Sequence, residues 1–361
     1  MEQVYNFSAG PSMLPKEVLE KAQKEMLNYG DTGQSIMEMS HRSKEYYEIH
    51  NEAKKIFCEI MNIPNNYKVL MLQGGGSLQF SMVPMNLFKN GCADYAVTGY
   101  WADKAAIEAK KHLKVNRVLG SEDKKFSYIP KFDKSALSKD ADYFHITTNN
   151  TIYGTRYIEI PITEEIPLVA DMSSNILSES YDVSKFGLIY AAAQKNMGTS
   201  GVTFVIINEN LIEKSLDFLP SAMSYETHSK NDSIYNTPPT YSIYISMLVC
   251  KWIKNNGGVE HINKLNEEKA KILYDCLDES KIFYGTAEKK FRSIMNVVFL
   301  SKSKEIDEKF ISEAYKEGLI NLKGHKSIGG MRASIYNAMP IEGIKKLVKF
   351  MKNFEYENKS I

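Results

Sequence analysis

The stretch from Ile166 to Ile207, IPLVADMSSNILSESYDVSKFGLIYAAAQKNMGTSGVTFVII, constrains the fold more than any other part of the chain. It contains three short apolar runs, IPLVA, FGLIYAAA and GVTFVII, separated by polar segments. Runs of this kind, bounded by polar loops, suit buried strands of an α/β sheet. The first run ends on Asp171 and the second on Gln194 and Lys195. Open α/β sheets form their ligand crevices at strand ends, so an acid and an amine at successive ends are candidates for one shared site.

One cofactor chemistry needs this pair. Pyridoxal phosphate (PLP) is held as a Schiff base on a lysine, and a carboxylate pairs with its protonated ring nitrogen to keep the ring an electron sink. Asp171 is the candidate carboxylate and Lys195 the candidate lysine. Taken alone, an Asp and a Lys at strand ends are most often ordinary surface charges. Their settings, ADMSSN and AAAQKNMGTSG, are far more specific than the pair itself.

At 361 residues the chain suggests two domains, one larger than the other. The hydrophobic share of 43% and charged share of 25% suit a soluble globular protein. A net charge of +1 leaves no electrostatic footprint for nucleic acid or an anionic membrane. Cys58, Cys92, Cys250 and Cys276 are widely spaced and form neither a CxxC pair nor a metal-ligand cluster, which predicts reduced thiols, no metal and a cytoplasmic setting. MEQVYNFSAGPSMLP lacks the basic-then-apolar pattern of a signal peptide. The most apolar helical run, Tyr241–Trp252, is too short to span a bilayer.

Along the chain, NFSAGPSMLP is predicted as a loop, PKEVLEKAQKEMLNYG as a helix and Lys44 to Met61 as another. His41 and Arg42 stand just before that second helix, either as a solvated helix start or as anion contacts. In YKVLMLQGGGSLQFSMVPMNL a strand passes through Gly74, Gly75 and Gly76 into a helix that starts near Ser77. Such a turn lets backbone N–H groups close on a phosphate at a helix N-terminus, or it is simply a tight turn. It is neither a Walker A sequence nor a dinucleotide fingerprint, since Gln79 stands where a third glycine belongs. Trp101, at the next strand-to-helix junction, is a candidate for stacking on a cofactor ring or an ordinary interface aromatic. Thr151 lies in a predicted loop, Asn149–Gly154, and can bond a phenolic oxygen or serve turn chemistry. A polar loop, Ser221–Asn236, leads through NTPPT into an apolar helix, and a helical stretch, Val259–Ser280, leads to the C-terminal part.

Taken in order, SAGPSMLP, SHR, GGGSLQF, GYW, NNTIYG, ADMSSN, QKNMGTSG, NTPPTYSIY and GGMRASIYNAMP resemble the motifs of the phosphoserine aminotransferases, over essentially the whole chain. The resemblance implies an α/β, fold-type I PLP enzyme. Its large domain, here 16–261, has a mixed, mostly parallel seven-stranded sheet; a small α+β domain is formed by 1–15 and 262–361. It implies amino transfer between L-glutamate and 3-phosphohydroxypyruvate, giving O-phospho-L-serine and 2-oxoglutarate, and in many bacteria action on 4-phosphohydroxy-L-threonine of the pyridoxine route. By position, Lys195, Asp171 and Trp101 resemble the catalytic set, and Thr151 the contact to the phenolic oxygen. Gly76, Ser77 and Gln194 resemble phosphate ligands, with Asn236 and Thr237 reaching across a homodimer to complete that site. Arg332 resembles the α-carboxylate arginine, and His41, Arg42, His325 and Lys326 the site for the substrate phosphate.

Two positions depart from the family pattern. Lys326 stands where an arginine is usual, which keeps the charge and loses the planar fork. Ser77 stands where some members carry an arginine, which removes one positive charge from the cofactor-phosphate side. The nearest competing reading is a small-substrate aminotransferase of the same fold, such as an alanine–glyoxylate aminotransferase, which has no need of the basic set at 41, 42, 325 and 326. A cysteine desulfurase needs a reactive cysteine on a loop, and the four cysteines here fall in or beside predicted elements. A nucleotide-dependent oxidoreductase lacks its third glycine, and a PLP-carrying protein without turnover has no reason to keep Lys195, Asp171 and Trp101 together.

Overall fold

The three apolar runs of 166–207 lie side by side at the centre of one seven-stranded sheet, as Leu168–Asp171, Leu188–Ala192 and Thr203–Asn208. In the computed structural model, which describes residues 4–212 and 219–358, the sheet order is Tyr67–Leu72, Thr203–Asn208, Leu188–Ala192, Leu168–Asp171, Phe144–Thr147, Cys92–Val97, Lys114–Gly120. Thr203–Asn208 runs antiparallel to both neighbours, and every other pairing is parallel. The mixed, mostly parallel sheet expected from the resemblance is therefore present.

Alternation along each strand sorts the side chains onto two faces. Phe144, Ile146, Ala170, Ile189, Ala191, Phe204 and Ile206 share a buried cluster with residues of the helices Lys44–Ile60 and Thr240–Asn255. Tyr95, Val97, Val169, Leu188, Tyr190 and Val205 form the other, with residues of Gly75–Asn86 and Tyr100–Ala109. Helices on both faces leave the strand ends as the open region where polar groups gather.

A second core gathers Tyr5 and Phe7 with Phe283, Phe299, Phe310, Leu319 and Phe354. Its sheet is antiparallel, Tyr284–Gly285 on Asn296–Leu300 on Met331–Ser334, and Tyr5–Asn6 pairs in parallel with Leu319–Ile320. The helix Gly258–Glu279 links the two cores, giving Val259 and Ile262 to the first and Ala270, Leu273 and Leu277 to the second. For this pattern we propose the division into a large domain, 16–261, and a small one, 1–15 with 262–361.

Three local expectations change. The helix after the glycine run begins at Gly75 rather than near Ser77, because Gly74 caps it in the left-handed region at φ 91°, where an added Cβ would also fall 2.3 Å from Leu78 Cδ2. The loop 149–154 is a tight hairpin, with Asn149–Asn150 antiparallel to Thr155–Arg156. The polar loop 221–236 holds a short helix, Tyr225–Lys230, whose cap is Ser224, accepting from the Thr227 N–H at 3.0 Å. Tyr225 Oη donates to Gln79 Oε1 at 2.6 Å and anchors that helix to the sheet-covering layer.

Lys269 is buried in the joining helix and donates to three carbonyls, Ile335, Tyr336 and Met339, at 3.1, 2.8 and 3.1 Å. Burial pushes its pKa down to about 7, and the three carbonyls offer one acceptor for each ammonium proton. Lys269→Met takes the ammonium from three buried carbonyls, of which that of Tyr336 keeps the Met339 N–H at 2.9 Å, and is expected to cost about 2 kcal/mol, read as a lower urea midpoint. An unchanged midpoint would show that water replaces the ammonium at no cost.

Among the described residues no helix is long and apolar enough to cross a membrane, and no cluster of metal-ligating side chains is present. The four cysteines are free thiols.

Candidate active site

Lys195 sits in the turn after Leu188–Ala192, half-buried, and its Nζ donates to Thr151 Oγ1 at 3.0 Å. Burial, together with the positive charge of Arg332, pushes the Lys195 amine down to about 8, and Asp171 opposes that shift. Thr151 is therefore a junction: its hydroxyl accepts from Lys195, and its carbonyl accepts from Arg332 Nη1 at 3.3 Å. Arg332 Nε is buried and has no partner, which leaves donor capacity for an anion.

Asp171 ends its strand almost fully buried, at 7% exposure. Its Oδ1 accepts from the Ser173 N–H at 2.9 Å. Burial pushes the Asp171 carboxyl up, and Lys195, Ser173 and Tyr190 pull it back. The sheet thus holds an acid and an amine near one another, each moved by burial toward its neutral form and each by the other toward its charged form.

The glycine turn borders the same place. A Cβ on Gly76 would lie 3.4 Å from Ser173 Oγ and 3.9 Å from Tyr190 Cε2. The first N–H groups of the helix Gly75–Asn86, including those of Gly76 and Ser77, have no acceptor within a helix and face the side where an anion is favoured. Gln194 is held from the N-terminal segment, since the Ser12 N–H donates to its carbonyl at 3.0 Å. Ser12 Oγ also donates to the Lys195 carbonyl. The SAGPS loop is thereby clamped onto the Lys195 turn.

Trp101 opens the helix Tyr100–Ala109 and packs edge-on to Tyr100, ring centroids 5.2 Å apart. Tyr100 in turn meets His325 at 5.6 Å. His325 Nδ1 lies 2.8 Å from Ser327 Oγ; burial and the charges of Arg332 and Lys326 hold its pKa below the usual histidine value. Trp101 and His325 thus share Tyr100 as a neighbour, and the charge of Arg332 acts on both His325 and Lys195, with Lys326 exposed beside His325. Four other predicted residues are not brought in. Arg42 is exposed and His41 half-buried, and neither side chain bonds the Lys195 group. Asn236 and Thr237 are exposed, and the Thr237 carbonyl accepts from Gln73 Nε2 at 2.7 Å, beside the glycine turn.

Sequence reasoning passed over several residues that build the site. Ser12 and Ser173 are common types in polar segments and carried no signal of their own. Tyr190 and His145 lie inside apolar runs, FGLIYAAA and ADYFHITT, where one polar aromatic looks like core. Nothing in the spacing separates them from packing residues.

The family model of class-V aminotransferases matches residues 4–347. The chain is 55% identical to a phosphoserine aminotransferase of Bacillus cereus, over 99% of this chain and 100% of that protein. It is 53% identical to a phosphoserine aminotransferase of Listeria monocytogenes, over 98% of this chain and 97% of that one. Among solved structures, the phosphoserine aminotransferase of Bacillus circulans subsp. alkalophilus superposes with a TM-score of 0.96 at 45% identity, covering 99% of both chains. A PLP-bound phosphoserine aminotransferase of Trichomonas vaginalis gives 0.92 at 38% identity, covering 97% of this chain and 100% of that one. An alanine–glyoxylate aminotransferase of Nostoc sp. gives 0.78 at 14% identity over 98% and 96% of the two chains, which is a likeness of fold alone.

Proposed function

We infer, for a chain that belongs to the class-V aminotransferases and within them to the phosphoserine aminotransferases, that Lys195 carries the cofactor and that the residues around it serve amino transfer between L-glutamate and 3-phosphohydroxypyruvate. The chain is a PLP-dependent transaminase. The observation that carries the site assignment is the coupled pair: a lysine whose pKa is brought down to about 8 and a buried carboxylate at the end of the adjacent strand.

The residues present fit the cofactor. A part-deprotonated amine suits covalent attachment, a buried carboxylate suits a ring cation, and helix N–H groups at Gly76 and Ser77 suit a phosphate. When bound, PLP supplies an electron sink for the electrons left on the substrate Cα. Asp171 would hold the ring nitrogen, Trp101 would cover a ring face, Thr151 would bond the phenolic oxygen, and Gly76, Ser77 and Gln194 would hold the phosphate. Freed from the cofactor, Lys195 Nζ would take the proton from the substrate Cα and deliver it to C4′ across the intervening nitrogen, a role suited to an amine close to neutral pKa. Arg332, with its open Nε, binds the substrate α-carboxylate in a fork.

The substrate has a second anion, and His325 and Lys326 stand beside Arg332 to receive it. His41 and Arg42 have no bond to this group within one chain, and Asn236 and Thr237 are exposed. We read this as a homodimer with active sites at the subunit interface, with Asn236 and Thr237 of the partner subunit completing the phosphate site. Glutamate's γ-carboxylate uses the same basic site in the other half-reaction. Use of 4-phosphohydroxy-L-threonine and a cytoplasmic location belong to the same reading.

The test is a half-reaction. Purified protein with PLP is expected to show a visible band of the lysine-bound cofactor that O-phospho-L-serine removes and 2-oxoglutarate restores. Serine and alanine are expected to act far more weakly; equal action by alanine would favour the small-substrate reading. Lys326→Arg restores a planar fork and is expected to lower the KM for phosphoserine with the reaction unchanged; an unchanged or higher KM would remove Lys326 from the anion site.

The Lys195 pKa carries its own prediction. Only the neutral amine attacks an aldehyde, and below a pKa of about 8 its fraction falls tenfold per pH unit. The rate of PLP capture by apoprotein is therefore expected to rise with pH up to about 8 and then level off. A rise continuing to pH 10 would indicate an ordinary solvated lysine.

A further inference from the structure

Below Asp171 the sheet buries a row of polar aromatics that the chemistry above does not use. Tyr190 is the register partner of Asp171 on the adjacent strand, so the two side chains leave the same face. His145 stands on the strand at the other side of Asp171, two residues before Thr147, which is in register with Asp171. His145 Nε2 lies 2.9 Å from Tyr190 Oη. From that shared face the Tyr190 hydroxyl acts on the Asp171 carboxyl and lowers its pKa. The histidine ring stacks on Tyr95 at 4.8 Å and 21°, and its Nδ1 is buried without a partner. His145 is 1% exposed and Tyr190 is fully buried.

The proton positions follow from the inventory of donors and acceptors. A carboxylate only accepts, so in a bond between Tyr190 and Asp171 the one hydroxyl proton comes from Tyr190. The Tyr190 oxygen is then the acceptor for His145, which places the imidazole proton on Nε2. That tautomer leaves Nδ1 as a bare acceptor, whereas the other would leave a buried bare N–H, the rarer and costlier case. Burial holds the His145 pKa down to about 3, so the ring stays neutral with a single N–H. The neighbouring hydroxyls do not compete: Tyr95 and Tyr143 bond each other at 2.7 Å, and Tyr225 donates to Gln79.

We propose that His145 and Tyr190 are positioning residues for Asp171, a chain in which His145 Nε2–H donates to Tyr190 and Tyr190 donates to the carboxylate. The chain orients the carboxylate and keeps it ionised in a place where burial favours its neutral form, and so sustains its hold on a cationic ring nitrogen. This rests on the site reading given above. The groups that face Asp171 are Lys195 and Ser173 from their loops and Tyr190 from its strand; Tyr95 and Tyr225 face Tyr190. Losing the Tyr190 donor removes a bond that favours the charged carboxylate, so the Asp171 pKa rises, and the carboxylate is neutralised at a higher pH as pH falls.

The experiment compares holoenzymes of wild type, Tyr190→Phe, His145→Phe and His145→Gln. His145→Phe keeps a ring against Tyr95 and removes the donor; His145→Gln returns an N–H near the place of Nε2. Cofactor retention after dilution is followed by the visible band from about pH 5.5 to 8.5. In Tyr190→Phe and His145→Phe the acid-side loss of cofactor is expected to begin about one pH unit higher, a tenfold change in carboxyl protonation. Their kcat is expected to fall about tenfold with the KM for phosphoserine within about twofold, the split of an interaction made in the transition state. His145→Gln is expected to stay near wild type in both readouts. If both phenylalanine variants only lower the melting temperature and leave the acid limb in place, or if His145→Gln behaves as His145→Phe does, the proposal falls. Should Tyr190→Phe fail to fold, the two His145 variants decide. A wild type with no visible band would overturn the Lys195 assignment and this proposal together; a normal wild type with unmoved variants overturns this proposal alone.

Discussion

Lys195→Ala is expected to abolish the visible band of the purified protein and to lower kcat with O-phospho-L-serine by at least about three orders of magnitude. On the assignment proposed above, two functions go at once, the covalent anchor of the cofactor and the amine that carries the Cα proton. The fold is expected to survive. Lys195 Nζ makes one hydrogen bond, to Thr151, and its amine is already disfavoured in charged form by burial and by Arg332. Removing it relieves that cost and leaves a space among Thr151, Arg332 and Asp171. Lys195→Arg is the companion variant: it keeps a positive charge beside Asp171 and cannot form the bond to PLP at neutral pH, since a guanidinium does not lose its proton. Equal inactivity of the two, with unchanged circular dichroism, would separate the covalent role from electrostatics. Turnover within about tenfold of wild type in either variant would place the cofactor lysine elsewhere in the chain.

Why this lysine was legible in the sequence, and its supports were not, has a physical basis. Asp171 and Lys195 are charged residues that end apolar runs, and burying a charge at a strand end demands a reason that ordinary packing does not supply. The same holds for a glycine run between a strand and a helix. Trp101, Thr151, His325 and Arg332 lay in motifs whose order along the chain matched a family; the fold joins Thr151 to both Lys195 and Arg332, and Trp101 to His325 through Tyr100. His145 and Tyr190 gave no such warning, because an aromatic with one polar atom fits an apolar strand as well as phenylalanine does. Their relation to Asp171 arises from strand order, Phe144–Thr147 on one side and Leu188–Ala192 on the other, and strand order is a non-local property. The helix Tyr225–Lys230 was missed for a related reason: YETHSK has no apolar period, and the helix is held by its Ser224 cap and by bonds from Tyr225 to Gln79 and Asn86. In the homodimer proposed above, the placing of His41, Arg42, Asn236 and Thr237 depends on a second copy of the chain, which no local pattern encodes.

Asp171→Asn is expected to lower kcat about a thousandfold while changing the KM for phosphoserine little, because it removes a charge needed by the transition state and leaves Arg332 and the other anion ligands in place. The amide is nearly the shape of the carboxylate and can still accept from the Ser173 N–H at 2.9 Å, so the loss is electrostatic rather than steric. Stability moves the other way. The folded-state pKa of Asp171 is raised above its ordinary value by burial. A raised carboxyl pKa means that the folded form binds the proton more tightly, so its contribution to stability is largest below the unfolded pKa and is lost as pH rises through the folded value. At neutral pH the ionised Asp171 therefore costs stability, and the apoprotein of Asp171→Asn is expected to have an equal or higher urea midpoint than wild-type apoprotein, with the gap closing as the solution is acidified. The variant is expected to retain less PLP, since the ring nitrogen loses its counter-charge, and Lys195, deprived of the acid that held its pKa up, is expected to titrate below about 8. A variant both less stable and less active would point to a packing defect. One that keeps kcat within about tenfold of wild type would show that Asp171 does not hold the ring. Lost turnover in a protein of equal or greater stability is the signature of a charge kept for chemistry at the expense of the fold.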